Sequence, residues 1–186
     1  MKLIKIILFL FISFNTALVA NSNDDLQNLL SERGKLIFIR HAYAPGSGDP
    51  DNFDLFNCDT QRNLNQQGID QAKAINKFFL KNSMDINLVL SSEWCRCKQT
   101  AKYAFKNYKT KSFLNSFFSQ KFAHKKDKQI KELKEFIKKW NGKGNLIFVT
   151  HYVVILEVLN LSVSSGEIVI TDKDLKIITR QKISNN

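Results

Sequence analysis

Three short apolar runs constrain this chain more than any other feature. Lys35-Leu-Ile-Phe-Ile-Arg40, Ile86 to Leu90 and Asn145 to Thr150 are each too short for a buried helix and are bounded by turn or polar residues. Such runs read as strands buried on both faces. Between them lie segments of helical spacing. Ala72, Ile75 and Phe79 lie within Asp70–Leu80, the stretch Trp94 to Phe105 is helical in character, and Ile130, Leu133, Ile137 and Trp140 share one helical face. A further apolar helix runs from His151 to Leu159. Strands alternating with helices predict an α/β three-layer sandwich, with a mostly parallel central sheet flanked by helices. Glu167 to Thr171 and Leu175 to Thr179 read as a closing pair of strands around Asp172-Lys173-Asp174. Residues 106–128, rich in Lys and Phe, carry no clear period. The length of 186 residues suits one such domain, residues 21–186.

Residues 1–20 read differently. Lys2 and Lys5 precede the unbroken apolar run Ile6–Ile12, and Ala17-Leu18-Val19-Ala20 leads into a polar stretch. This is the pattern of a secretory signal peptide cut near Ala20, and the run is short for a membrane span. Leu18, three places before the cut, leaves an uncleaved anchor as the alternative. The expected location is therefore periplasmic or secreted, with no stable membrane span after cleavage. Export permits disulfides. Cys95 and Cys97 are too close in sequence to bridge each other without strain. Cys58 paired with either one is one reading, and three buried thiols is the other. No CxxC pair points to zinc.

The chain carries 28 Lys+Arg against 17 Asp+Glu, a formal charge of +11. Lys121, Lys125, Lys126, Lys128 and Lys131 crowd one region and could steer a polyanion toward a crevice. Compositional bias in a Lys-rich chain explains them more simply. No nucleic-acid module is recognisable.

The polar residues that end each strand carry the chemistry. The first strand ends in Arg40-His41, the second in Ser91-Ser92 with Arg96 a helical turn on, and the third in Thr150-His151. In an open parallel sheet, ligands bind at the carboxyl ends of the strands. Two histidines and two arginines would then converge on one crevice suited to phosphate. Residues 42–63 form a long loop rich in Gly, Pro, Asp and Asn, of a length usually tied to function. His124, set among lysines, reads as exposed.

Four ordered elements resemble the histidine phosphatase superfamily, which includes phosphoglycerate mutases, acid phosphatases and phosphohistidine phosphatases. They are Ile39-Arg40-His41-Ala42; Arg62-Asn-Leu-Asn-Gln-Gln-Gly68 with Gln71-Ala72; Ser91-Ser92 with Arg96 and Gln99-Thr100-Ala101; and Val149-Thr150-His151. The likeness runs from about residue 35 to 170. It implies a phosphoglycerate mutase-like fold and a metal-independent, cofactor-free phosphomonoesterase. His41 would be the nucleophile, forming a phosphohistidine, with its second ring nitrogen held by a backbone carbonyl or similar acceptor. Arg40, Arg96 and His151 would bind the phosphoryl oxygens.

One part of the pattern is missing. The mutase-like branch has Glu after Leu-Asn, but Leu114-Asn115 is followed here by Ser116. The phytase-like branch has an acid after the second His, where this chain has Tyr152. Glu93 and the loop residues Asp49, Asp51 and Asp54 are the remaining candidates for a general acid. The absent Glu and the expected export disfavour phosphoglycerate mutation. The expected substrate is a small or surface-linked phosphate ester. A non-catalytic anion-binding domain of the same fold is the rival reading.

Overall fold

The computed structural model describes Asn28 and residues 30–184, so the expected signal peptide lies outside the described residues. Six strands form one sheet: β1 (Leu36–Arg40), β2 (Ile86–Ser91), β3 (Lys109–Thr110), β4 (Asn145–Thr150), β5 (Ile168–Thr171) and β6 (Ile177–Gln181). Their order is β3-β2-β4-β1-β5-β6. β1, β2, β3 and β4 run parallel, and β5 and β6 close the other edge antiparallel. The mostly parallel sheet read from the sequence is what forms.

Alternation along the strands divides the core into two layers. Leu36, Phe38, Leu90, Leu146, Phe148 and Val169 face one side. There they meet α4 (Lys126–Lys139) through Ile130, Leu133 and Ile137, and α5 (Tyr152–Leu159) through Val154 and Ile155. Ile37, Ile39, Val89, Ile147, Val149, Ile168 and Ile170 face the other side. They pack on α1 (Gln66–Lys81) through Ile75 and Phe79, and on α2 (Cys95–Phe105) through Cys97, Ala101 and Ala104. Every residue of β4 is buried, as a central strand covered on both faces requires. α1 starts where the Asn65 side chain accepts from the Gly68 amide at 3.0 Å, an ordinary N-cap.

Residues 106–128 yield β3, a turn of 3-10 helix at Ser112–Leu114 and the short helix α3 (Gln120–Ala123). Phe113, Leu114 and Phe117 are buried there while Phe118 is exposed. The segment crosses the sheet face mostly as coil, so its apolar residues follow no regular period. β6 begins later than its apolar pattern suggests, because the turn after β5 extends to Leu175, where φ is +66°.

The register of the central strands brings their ends level. Arg40 lies beside Thr150, and Ser91 beside Val149. His41, Ser92 and His151 therefore leave the sheet at one edge.

Cys58, in a 3-10 turn of the long loop, is bonded to Cys95 at the start of α2, and Cys97 is a buried thiol. The bond ties the loop to the helix that carries Arg96. With a separation of 37 residues, replacing both half-cystines by Ser is expected to cost about 3–4 kcal/mol in urea unfolding. An unchanged midpoint would show that the bond does not form in solution.

Candidate active site

His41 is fixed by backbone hydrogen bonds on both sides. Its amide donates to the Thr150 carbonyl at 2.9 Å, and Gly166 N donates to the Arg40 and His41 carbonyls. The ring Nδ1 lies 2.8 Å from the Ala42 carbonyl. A carbonyl can only accept, so Nδ1 carries the proton and Nε2 keeps its lone pair. The Ala42 peptide is itself held, because its N–H donates to Thr100 Oγ1 at 2.9 Å while that hydroxyl donates to the Arg96 carbonyl at 2.7 Å.

Other motif residues hold the same turn. The Gln71 amide accepts from Tyr43 N at 2.9 Å and donates to the Ser165 and Ile183 carbonyls. Gly68 leaves no room for a Cβ against the Tyr43 carbonyl. Gln99 accepts from Leu64 N, anchoring the end of the long loop.

His151 meets His41 edge-on, with ring centroids 5.5 Å apart and the planes inclined at 66°. Its Nδ1 lies 3.5 Å from Arg96 Nη2, a group that can only donate. Nε2 therefore bears the proton and donates to Ser92 Oγ at 2.9 Å, and Ser92 donates onward to Asn115 Oδ1 at 3.0 Å. Asn115 is held in turn by the Glu93 carboxylate, which accepts from its Nδ2 at 2.6 Å.

A cavity of about 190 Å³ opens over these rings. Arg40, His41, Asp49, Arg62, Arg96 and His151 line its polar side, while Trp94, Phe118, Phe122 and Tyr152 line the rest. Arg40 donates from Nη1 to the Val163 carbonyl at 2.8 Å and lies over the Tyr152 ring. Arg40 Nε and Arg96 Nε are buried with no hydrogen-bond partner among the described residues.

The cavity thus gathers the four residues expected from the sequence to act on phosphate, Arg40, His41, Arg96 and His151. The oxygen-binding role expected for His151 does not fit this arrangement, because its one ring proton goes to Ser92 and Nδ1 faces Arg96, leaving no proton for a phosphoryl oxygen. The cavity also contains Arg62, which stands in one of the sequence motifs but had no expected role at the site. Arg62 donates from Nε to Gly48 O at 2.8 Å and from Nη1 to Ala44 O and Gly46 O.

The acid candidates separate. Asp49 lines the cavity, accepting from Arg96 Nη1 at 2.6 Å and Nη2 at 3.2 Å and from Trp94 Nε1 at 3.2 Å. Glu93 does not reach the cavity, because Asn115 holds its carboxylate. Asp54 caps the Phe56 amide as a turn former, and Asp51 is exposed. Ser116 lines the cavity at the position where an acid was sought. His124 caps α3 outside the cavity. Among the described residues, no three His, Cys, Asp or Glu side chains cluster as a metal site.

A family model for the histidine phosphatase superfamily, branch 1, matches residues 36–145. This chain belongs to that superfamily. No curated protein matches it in sequence. Solved structures agree in fold. The protein histidine phosphatase SixA complexed with tungstate superposes with a TM-score of 0.56 at 13% identity, over 78% of this chain and 95% of the other. A protein of Agrobacterium tumefaciens assigned provisionally as phosphohistidine phosphatase SixA gives 0.58 at 16%, over 81% and 99%. Phosphoglycerate mutase of Thermus thermophilus gives 0.59 at 13%, over 81% and 99%.

Burial, and then the neighbouring Arg96, push both His41 and His151 well below the ordinary imidazole value of 6.5. Both rings are neutral at pH 7. In the unfolded chain each takes up a proton below about pH 6.5, which the folded chain refuses. The unfolded state then binds more protons, so stability falls as pH drops below that value. Each histidine is expected to add about 1.4 kcal/mol per pH unit to this slope. Urea unfolding between pH 7.5 and 5 should show a slope shallower by that amount in His151→Gln. An unaltered slope would contradict the neutral, buried ring.

Proposed function

We propose that this chain is an exported, metal-independent phosphomonoesterase that works through a phosphohistidine on His41. One observation carries the reading. The Ala42 carbonyl fixes the His41 tautomer, so that a neutral Nε2 lone pair is available at a cavity lined by Arg40, Arg62, Arg96 and His151. The resemblance in fold to a protein histidine phosphatase complexed with tungstate, an oxyanion, supports an oxyanion substrate. The Cys58–Cys95 bond supports an oxidising compartment.

In this mechanism the phosphoryl oxygens are bound by the three guanidinium groups, which neutralise charge as it spreads in the transition state. Arginine forks suit this task because they bind two oxygens in one plane. Nε2 attacks phosphorus as the ester oxygen leaves, and the Ala42 carbonyl stabilises the charge that develops on the ring. Water then breaks the Nε2–P bond and returns His41 to its starting state. The aromatic wall of Trp94, Phe118 and Phe122 receives the rest of the ester.

Phosphate release from aryl and alkyl esters, assayed with EDTA present, tests the reading. His41→Ala is expected to fall to below about a thousandth of the parent rate. Arg62→Ala should lower kcat/KM about a hundredfold through lost charge stabilisation. A folded protein that binds phosphate and releases none from any ester would favour the anion-binding domain.

A further inference from the structure

Two of the three arginines that line the cavity, Arg62 and Arg96, are held by one short segment. Asp49 presents two carboxylate oxygens to the Arg96 fork, at 2.6 and 3.2 Å. The carbonyls of Ala44, Gly46 and Gly48 accept from Arg62. A carboxylate bound in this bidentate way occupies the guanidinium edge that a phosphoryl group would use. Substrate and residues 44–49 therefore compete for the same donors.

The segment is built to yield. Gly46 and Gly48 sit at φ +86° and +70°, where residues with a Cβ are strained, and a Cβ placed on Gly48 would meet open space. Beyond it, the loop is anchored by the Gln61 side chain and the Cys58–Cys95 bond. These ties begin at Asp54, so the stretch that carries Asp49 lies outside them. Asp49 is also the one carboxylate that lines the cavity among the described residues.

We propose that Asp49 is a displaceable acid. In the empty site it fills the anion position on Arg96, and when a phosphoryl group takes that position it becomes the proton donor to the leaving oxygen. This rests on the phosphatase reading above. Released from Arg96 beside a phosphoryl dianion, the carboxylate takes a proton from solvent. As the P–O bond breaks and the Nε2–P bond forms, that proton passes to the leaving oxygen. The products are the alcohol, phosphohistidine and the Asp49 carboxylate. The carboxylate then takes a proton from the water that attacks phosphorus. The Nε2–P bond breaks, giving hydrogen phosphate, neutral His41 and protonated Asp49.

Two measurements on Asp49→Asn test this. In calorimetric titration, the variant should bind orthophosphate about tenfold more tightly, because a competitor for Arg96 has lost its charge. The ratio of glycerol phosphate turnover to p-nitrophenyl phosphate turnover should fall about a hundredfold, because a nitrophenolate leaves without a proton and an alkoxide does not. Asp49→Glu, which keeps a carboxyl group, should retain more of that ratio than the amide does, and its melting curve controls for folding. An unchanged phosphate affinity would overturn the displacement, and an unchanged ratio would overturn the acid role. If the parent protein turns over no ester, the phosphatase reading fails and the acid step with it. The orthophosphate titration still decides the displacement separately.

Discussion

The hydrogen bond between the His41 ring and the Ala42 carbonyl sets the chemistry of the whole site. It leaves Nε2 as the nitrogen with a free lone pair, and burial beside Arg96 keeps that nitrogen unprotonated. The bond in turn depends on a chain of supports. Thr100 holds the Ala42 amide, and α2 holds Thr100. Gln71 on α1 holds the next amide along, and Gly68 allows that helix to approach. Both helices pack on one face of the sheet through small and branched residues. The packing of that layer is thus transmitted to the orientation of a single ring.

Charge balance explains the long loop. Three guanidinium groups converge on a cavity where burial and Arg96 hold two imidazoles well below their ordinary pKa. Desolvated cations need partners. Arg40 has the Val163 carbonyl and the face of Tyr152, Arg62 has three loop carbonyls, and Arg96 has Asp49. The loop thereby supplies partners to the cavity's cations, and the disulfide to α2 ties it to the helix that carries Arg96.

The framework was legible because a parallel sheet covered on both faces demands unbroken apolar strands. β1, β2 and β4 have that character, and the polar residues that follow them mark the ligand edge. Arg40, His41, Arg96 and His151 could be placed together at one cavity for that reason. Arg62 was harder, since nothing in a loop full of Asp, Asn and Gly distinguishes an arginine that turns inward. Its place at the head of the motif that ends in Gly68 was the available signal. Gln71 and Thr100 look like ordinary helix polar residues until their partners are known. Glu93 and Asp49 could not be ranked by sequence, because a side-chain contact with Asn115 decides one and a contact with Arg96 decides the other. The choice among three cysteines likewise required the position of the loop relative to α2.

Rapid quenching of the protein during turnover, followed by peptide mapping, tests for the phosphohistidine itself. Nucleophilic attack by His41 predicts an acid-labile, base-stable phosphate on the peptide that holds His41, appearing and decaying at rates that match turnover. Steady hydrolysis of an ester with no phosphate trapped on His41, or with phosphate on another residue, would contradict it.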